Sequence, residues 1–278
     1  MFASSPKMQT CKPDTWHHLH VFVSFTSTMK ITEKNARSIL TRTNIPGIDY
    51  CLNPYVGCAH ACRYCYATFM SKYSGHTEPW GSFVDVKKNA VGLLRKALRR
   101  KCEGEVILSS VTDPYQPVEK TYHLTRGCLE LLAASRLKVS ILTKSHLVER
   151  DLDLLERMNN VEVGLTITTD SERTRRIFEP GSSSIAERLE VLRNLHRHRV
   201  PTYVFIGPVL PLDAERLAQA IAPFTGRVLI DRMNYPWRVK DLYAEHGLAF
   251  ALSDAYYQET ESRLAGHLDR LGVPTTIV

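Results

Sequence analysis

Short apolar, β-branched runs alternate with stretches of helical spacing over most of the chain. Runs near 51–57, 105–110, 138–143, 161–167, 202–206 and 227–232 predict strands, because Val, Ile and Thr pack well on a pleated surface. Between them Val91, Leu94 and Leu98, then Leu124, Cys128 and Leu131, then Ile185, Leu189, Leu192 and His196 recur at the spacing of one helix face. Ser184 with Glu187 predicts a capping box at the start of the last of these. A final helix over 254–271 carries Tyr257, Leu264, Leu268 and Leu271 on one face, and 273–278 supplies a closing strand. The alternation predicts an α/β protein built from β/α units around a parallel sheet. An open doubly wound sheet and a partial barrel both satisfy it. In either, ligands gather at the carboxyl ends of the strands. That rule brings 109–113, Lys144, 166–170, 207–210 and 234–237 to one mouth, together with the loop that follows the first strand.

Composition narrows this only a little. With 278 residues, 44% hydrophobic and 23% charged, the chain is of ordinary globular type and long enough to bury a core. A net charge of +7 permits contact with nucleic acid. The basic clusters Arg99-Arg100-Lys101 and His196-Arg197-His198-Arg199 sit where helices end, however, and cations favour the dipole there; Arg173 with Arg175-Arg176 makes a third. Of the seven cysteines, three are clustered and Cys11, Cys51, Cys102 and Cys128 are scattered, unlike the framework of a small secreted protein. A reducing cytoplasm is the expected location. Residues 1–28 are polar and lack periodicity, so they are expected to form a disordered tail, or to precede a true start at Met29. No run is long enough for a membrane span. The expected organisation is a tail over 1–28, a core domain over 29–240 and a helical extension over 241–278 packed on it.

The chemistry is concentrated in Asn53-Pro54-Tyr55-Val56-Gly57-Cys58-Ala59-His60-Ala61-Cys62-Arg63-Tyr64-Cys65-Tyr66. Three residues separate Cys58 from Cys62 and two separate Cys62 from Cys65, so a loop can turn all three thiols toward one point, as iron–sulfur ligands do. A closed zinc or cluster site wants a fourth ligand, and no further Cys follows within thirty residues. His60 or His76 can complete a zinc tetrahedron, which keeps a non-enzymatic zinc-binding or nucleic-acid-binding module open as a second reading.

The motif resembles the signature of the radical S-adenosylmethionine (SAM) enzymes. Thr112-Asp113-Pro114-Tyr115-Gln116, Thr143-Lys144-Ser145, Phe178-Glu179-Pro180 and Pro208-Val209-Leu210-Pro211, in that order, make it similar to the spore photoproduct lyase-like branch. The resemblance implies a partial (β/α)6 barrel and a [4Fe–4S] cluster on Cys58, Cys62 and Cys65, with one iron left open for SAM. It further implies reductive cleavage of SAM to a 5′-deoxyadenosyl radical that takes hydrogen from a substrate, with reduced ferredoxin or flavodoxin as electron donor. Carried over by motif, Tyr64 faces the adenine, Ser110, Thr112 and Asp113 lie beside the methionyl group, and Lys144 meets its carboxylate. Thr166, Thr168 and Glu179 are further candidate SAM contacts. Each also has a plain structural role open to it: core for Tyr64, surface for Lys144, strand propensity for the threonines, helix-terminal charge for Glu179. Arg232, Asn234, Tyr235 and Trp237 are candidate substrate contacts. The lyase branch carries a hydrogen-donating cysteine where this chain has Ser110, so kinship and basic charge suggest nucleic acid as substrate without implying photoproduct repair.

Overall fold

The computed structural model describes residues 29–100 and 102–278. The expected tail over 1–28, Cys11 within it, and Lys101 lie outside the described residues. The larger of two sheets has the order β11 (Thr275–Ile277), β10 (Val228–Ile230), β9 (Thr202–Ile206), β8 (Val161–Thr166), β7 (Leu137–Thr143), β6 (Gly104–Leu108), β3 (Tyr50–Leu52) and β2 (Leu40–Arg42). Every pairing from β3 to β11 is parallel, and only the edge strand β2 runs antiparallel. A smaller sheet orders β1 (Lys30–Lys34), β5 (Phe83–Lys87) and β4 (Tyr55–Val56).

The central parallel strands are mostly apolar because helices cover one face and side chains fill the other. In β8 only Glu162 escapes full burial. Helices Ala90–Ala97, Leu124–Ala133, Ile185–Arg197, Ala214–Ile221 and Asp254–Arg270 supply the cover, through Leu94, Leu129, Leu192, Leu217 and Leu264 among other fully buried residues. The capping box expected at Ser184 is present, with the Glu187 carboxylate accepting from the Ser184 N–H at 2.7 Å. Among the described residues no helix is long and apolar enough to cross a membrane.

The sheet is curled into a partial barrel. Laid flat, the carboxyl ends of β3 and β10 would lie roughly 24 Å apart, at about 4.8 Å per strand. Instead Arg238, just beyond β10, donates to Thr68 Oγ1 at 2.5 Å and to the Cys65 carbonyl at 3.4 Å, on the loop that follows β4. The first and sixth β/α units therefore meet over one opening, as the partial-barrel expectation requires.

Four sequence expectations need correcting. The run 51–57 is two strands, β3 in the large sheet and β4 in the small one. Pro54 has no N–H to continue a ladder, and the chain turns there. Strands β1, β2 and β5 were not expected, since Lys30–Lys34 is mostly polar and exposed and β5 carries a buried Asp85 in its middle. On the last helix Leu271 is 47% exposed, while Thr260 and Glu261 occupy the covered face; the Arg232 guanidinium, 2.6 Å away, compensates Glu261. Likewise Leu132 rather than Leu131 is the buried residue of its helix.

Gly57 closes β4 against β5. Its φ of +84° is in the left-handed region, and an added Cβ would collide with the Phe83 carbonyl oxygen. Gly57→Ala is expected to lower unfolding free energy by more than the roughly 1–2 kcal/mol that left-handed backbone alone costs, read by chemical denaturation.

Candidate active site

The three cysteines lie on an irregular loop that could not hold its shape unaided. Ala61 takes a left-handed φ of 51°, the Ala61 N–H donates to the Cys58 carbonyl at 3.3 Å and the Cys65 N–H to the Cys62 carbonyl at 3.2 Å. Neighbouring loops supply the remaining partners. Gln116 Oε1 accepts from the Ala59 N–H at 2.9 Å, the Thr112 hydroxyl donates to the Gly57 carbonyl at 2.6 Å, and Gln116 Nε2 donates to the same carbonyl at 3.2 Å. On the other side the Arg63 N–H reaches the Phe178 carbonyl at 2.8 Å and the Gly181 N–H reaches the His60 carbonyl at 3.0 Å. Backbone bonds from both flanks thus aim Cys58, Cys62 and Cys65 into one cavity of about 230 Å³.

That cavity gathers most of the candidates. Tyr64, Ser110, Thr112, Asp113, Lys144 and Thr166 line it with the cysteines, as do Arg232, Asn234 and Tyr235 from beyond β10. Trp237, which is 63% exposed, does not line it. Two more candidates stand behind the wall. Glu179 and Thr168 are fully buried, and the Thr168 hydroxyl donates to Glu179 Oε1 at 2.9 Å. Glu179 also accepts from the Tyr64 hydroxyl and pairs with the fully buried Arg188 at 2.5 Å. Thr168 and Glu179, expected as SAM contacts, lie behind the cavity wall in this structure and brace the ring of Tyr64.

Asp113 is similarly committed. Its Oδ1 accepts from the Thr143 hydroxyl at 2.7 Å and the Tyr115 N–H at 2.8 Å; its Oδ2 accepts from the Lys144 N–H at 2.8 Å and faces His60 Nδ1 at 3.3 Å. Burial raises its pKa, but His60 and these hydrogen bonds outweigh burial and hold the carboxyl at about 2. The Thr112 hydroxyl is spent on Gly57, so Thr112 too acts on the cysteine loop. The Ser110 hydroxyl accepts from Asn53 Nδ2 at 3.3 Å, and its carbonyl accepts from the Tyr66 hydroxyl.

Lys144 is different. Its ammonium lies 5.8 Å from the centre of the Tyr64 ring and has no hydrogen bond or ion pair among the described residues. A half-buried cation at a strand's carboxyl end, with no acceptor, is poised for an anionic ligand. Burial pushes the Cys58 thiol up to about 12 and also raises Cys62 and Cys65, the last two against the opposing charge of Lys144. Such thiols keep their protons until a metal displaces them.

The residues fit an iron–sulfur group held at three corners. Three thiols share the cavity, and the Ser109 hydroxyl that lines it with them is buried without a hydrogen-bond partner among the described residues. For the zinc alternative, the two candidate histidines already face carboxylates. His76 spends Nε2 on Asp85 at 2.8 Å and Nδ1 on Glu78 at 3.0 Å, and His60 turns Nδ1 to Asp113. No three His, Cys, Asp or Glu side chains among the described residues converge closely enough for one metal ion.

Several residues of this site were not expected from the sequence. Asp231 lines the mouth at the end of β10, its carboxyl raised by burial and accepting from Asn234 at 3.1 Å. The rule that ligands gather at strand ends was signal enough to have found it. Arg188 interrupts the apolar spacing of its helix and was the cue to a buried partner. Asn53 opens the cysteine motif, but nothing local marks its bond to the Ser110 hydroxyl.

The chain matches the sequence model of the radical SAM superfamily over residues 52–221. It belongs to that superfamily, and membership implies an iron–sulfur cluster and SAM. It is 38% identical over 210 residues to an uncharacterized protein of Methanocaldococcus jannaschii, covering 75% of this chain and 79% of that one. An uncharacterized protein of Mycobacterium tuberculosis is 36% identical over 170 residues, 58% of this chain and 50% of that one. The radical SAM Nα-GlyT isomerase of Pseudomonas phage M6 is 26% identical over 160 residues, 57% of this chain and 32% of that one. The chain thus spans half or less of the mycobacterial and phage relatives. Among solved structures, spore photoproduct lyase with bound AdoMet and dinucleoside spore photoproduct superposes with a TM-score of 0.65 at 16% identity, covering 89% of this chain and 81% of that one. Streptococcus suis SuiB bound to S-adenosylmethionine gives 0.55 at 9% identity, covering 90% and 50%. At such identities the likeness is one of fold.

Removing the Glu179 carboxylate leaves the Arg188 guanidinium buried and uncompensated. Glu179→Ala is expected to cost about 3–5 kcal/mol of stability. The Glu179 pKa is held at about 2, below the ordinary value of 4.5, by Arg188, Lys144 and Tyr64 against burial. Its contribution is therefore complete above pH 4.5 and lost as pH falls through 2. Denaturation of wild type and variant at pH 7 and pH 3 checks both the size and the sign.

Proposed function

We propose that Cys58, Cys62 and Cys65 hold a [4Fe–4S] cluster and that Lys144 receives the carboxylate of SAM, making the protein a radical SAM enzyme that abstracts hydrogen from a nucleic acid substrate. When bound, the cluster and SAM together supply a 5′-deoxyadenosyl radical. The observation that carries this reading is the shared cavity: three thiols and one unpartnered ammonium converge at the carboxyl ends of the parallel strands. The chain's own part is positional. Thr112 and Gln116 fix the cysteine loop, and Glu179 orients Tyr64. Reduced ferredoxin or flavodoxin is the proposed electron donor.

The rim of the mouth supports nucleic acid. Tyr66 is 48% exposed, Tyr235 and Trp237 stand edge to face at 5.2 Å, and the Arg238 guanidinium lies 4.8 Å from the Tyr235 ring. Exposed aromatic faces beside a cation are what a splayed-out base stacks on. Ser110 cannot return a hydrogen atom as a thiol does, because its O–H bond is too strong. A repair lyase's hydrogen return is thus not proposed for this chain.

Anaerobically reconstituted protein, reduced and given SAM, is expected to form 5′-deoxyadenosine slowly without substrate. Cys62→Ala is expected to bind no stable cluster and form none. Lys144→Ala is expected to keep its iron while losing SAM affinity by on the order of 2–3 kcal/mol, measured by calorimetry. Equal affinity in the two forms would remove Lys144 from the site.

A further inference from the structure

Exposed aromatic rings are concentrated on one side of the mouth. Tyr66, Phe69, Tyr73 and Trp237 are all the exposed aromatic rings among the described residues except Phe250. Tyr66 opens a 3-10 turn over Tyr66–Met70 that runs on into one helical turn over Ser71–Ser74. Side chains three apart eclipse in a 3-10 turn and side chains four apart are neighbours in an α-turn, so Tyr66, Phe69 and Tyr73 fall in one row. Phe69 and Tyr73 stand edge to face with centres 6.5 Å apart, and Tyr73 is 78% exposed. The row begins at the cavity, which Tyr66 lines, and leaves it, since neither Phe69 nor Tyr73 is part of the lining. Arg238 ties the second aromatic pair to this row: it donates to Thr68 Oγ1 and the Cys65 carbonyl while its guanidinium lies over the ring of Tyr235, the neighbour of Trp237.

The charge on these two segments has one sign. From Arg63 to Gly75 and from Arg232 to Lys240 there is no Asp or Glu, while Arg63, Lys72, Arg238 and Lys240 are all exposed. The next carboxylate along the chain, Glu78, is taken by Lys30 and His76. Apolar ring faces set beside cations, with no carboxylate among them, suit a chain of flat π-faced groups joined by anions. That is the make-up of a polynucleotide. In a duplex the bases stack on one another and hide their faces, so the fit is to a single strand.

We infer that Phe69, Tyr73 and Lys72 form a docking track for single-stranded nucleic acid, on which the nucleotides flanking the one at the mouth stack. This rests on the nucleic acid reading above and deepens it, the substrate being a strand rather than a free nucleotide or a duplex. The test uses anaerobically reconstituted protein with SAM and a fluorescein-labelled DNA strand of about 12 nucleotides, within the span that such surfaces cover. Phe69→Ala and Tyr73→Ala remove exposed rings, and each is expected to weaken binding, read by anisotropy, by about fivefold or more. Lys72→Ala is expected to lower the slope of log affinity against log salt concentration by about one. Formation of 5′-deoxyadenosine without substrate is expected to be the same in all three variants and wild type. A duplex of the same sequence is expected to bind more weakly than the strand. Equal affinity of wild type and both ring variants for the strand, or a duplex bound as tightly, would overturn the track while leaving the nucleic acid reading intact. Wild type that binds neither strand nor duplex, yet still forms 5′-deoxyadenosine, would overturn the track and the nucleic acid substrate together and leave the cluster and SAM reading standing.

Discussion

Curling a parallel sheet brings loops of irregular backbone together over one opening, and the buried carboxylate of Asp113 is where they are tied. It takes hydrogen bonds from the Thr143 hydroxyl and the Lys144 N–H beyond β7, and it faces His60 on the cysteine loop. A carboxylate with so many donors is held ionised despite burial. One oxygen takes the Lys144 N–H and faces His60, so the backbone at the end of β7 and the cysteine loop are tied to a single group. Much of the mouth's geometry follows from this restraint.

A second buried carboxylate braces the opposite wall. Glu179 joins Tyr64, Thr168, Ser182 and Arg188 into one polar knot within an apolar core. Knots of this kind are costly unless every member is paired. Arg188 is fully paired, with bonds to the Ser183 and Thr166 carbonyls as well as to Glu179. The result is a rigid Tyr64 ring facing Lys144. Thr168 and Glu179 brace the site from behind its wall, while Thr112 and Asp113 line the cavity with side chains bonded to the neighbouring loops.

Much of this was legible in the sequence where a pattern maps onto a geometry. Strand periodicity with helical spacing between gave the parallel sheet, and the cysteine spacing marked the loop. The rule of carboxyl ends brought Ser110, Lys144, Thr166 and Asn234 to one cavity. What stayed hidden depends on contacts between distant segments. Nothing local marks Asn53 as reaching Ser110, and the polar strand β1 is made stable by pairing with β5 rather than by its own composition. Whether a polar residue faces a cavity or a buried partner is likewise set by the fold, as the differing fates of Lys144 and Glu179 illustrate.

The central claim is that three cysteines hold a cluster with one iron open to SAM. EPR of the anaerobically reconstituted, reduced protein without and with SAM addresses it most directly. The account predicts a brown protein with about four irons per chain, whose reduced spectrum changes when SAM is added. A colourless protein carrying one zinc, or a cluster spectrum indifferent to SAM, would contradict it.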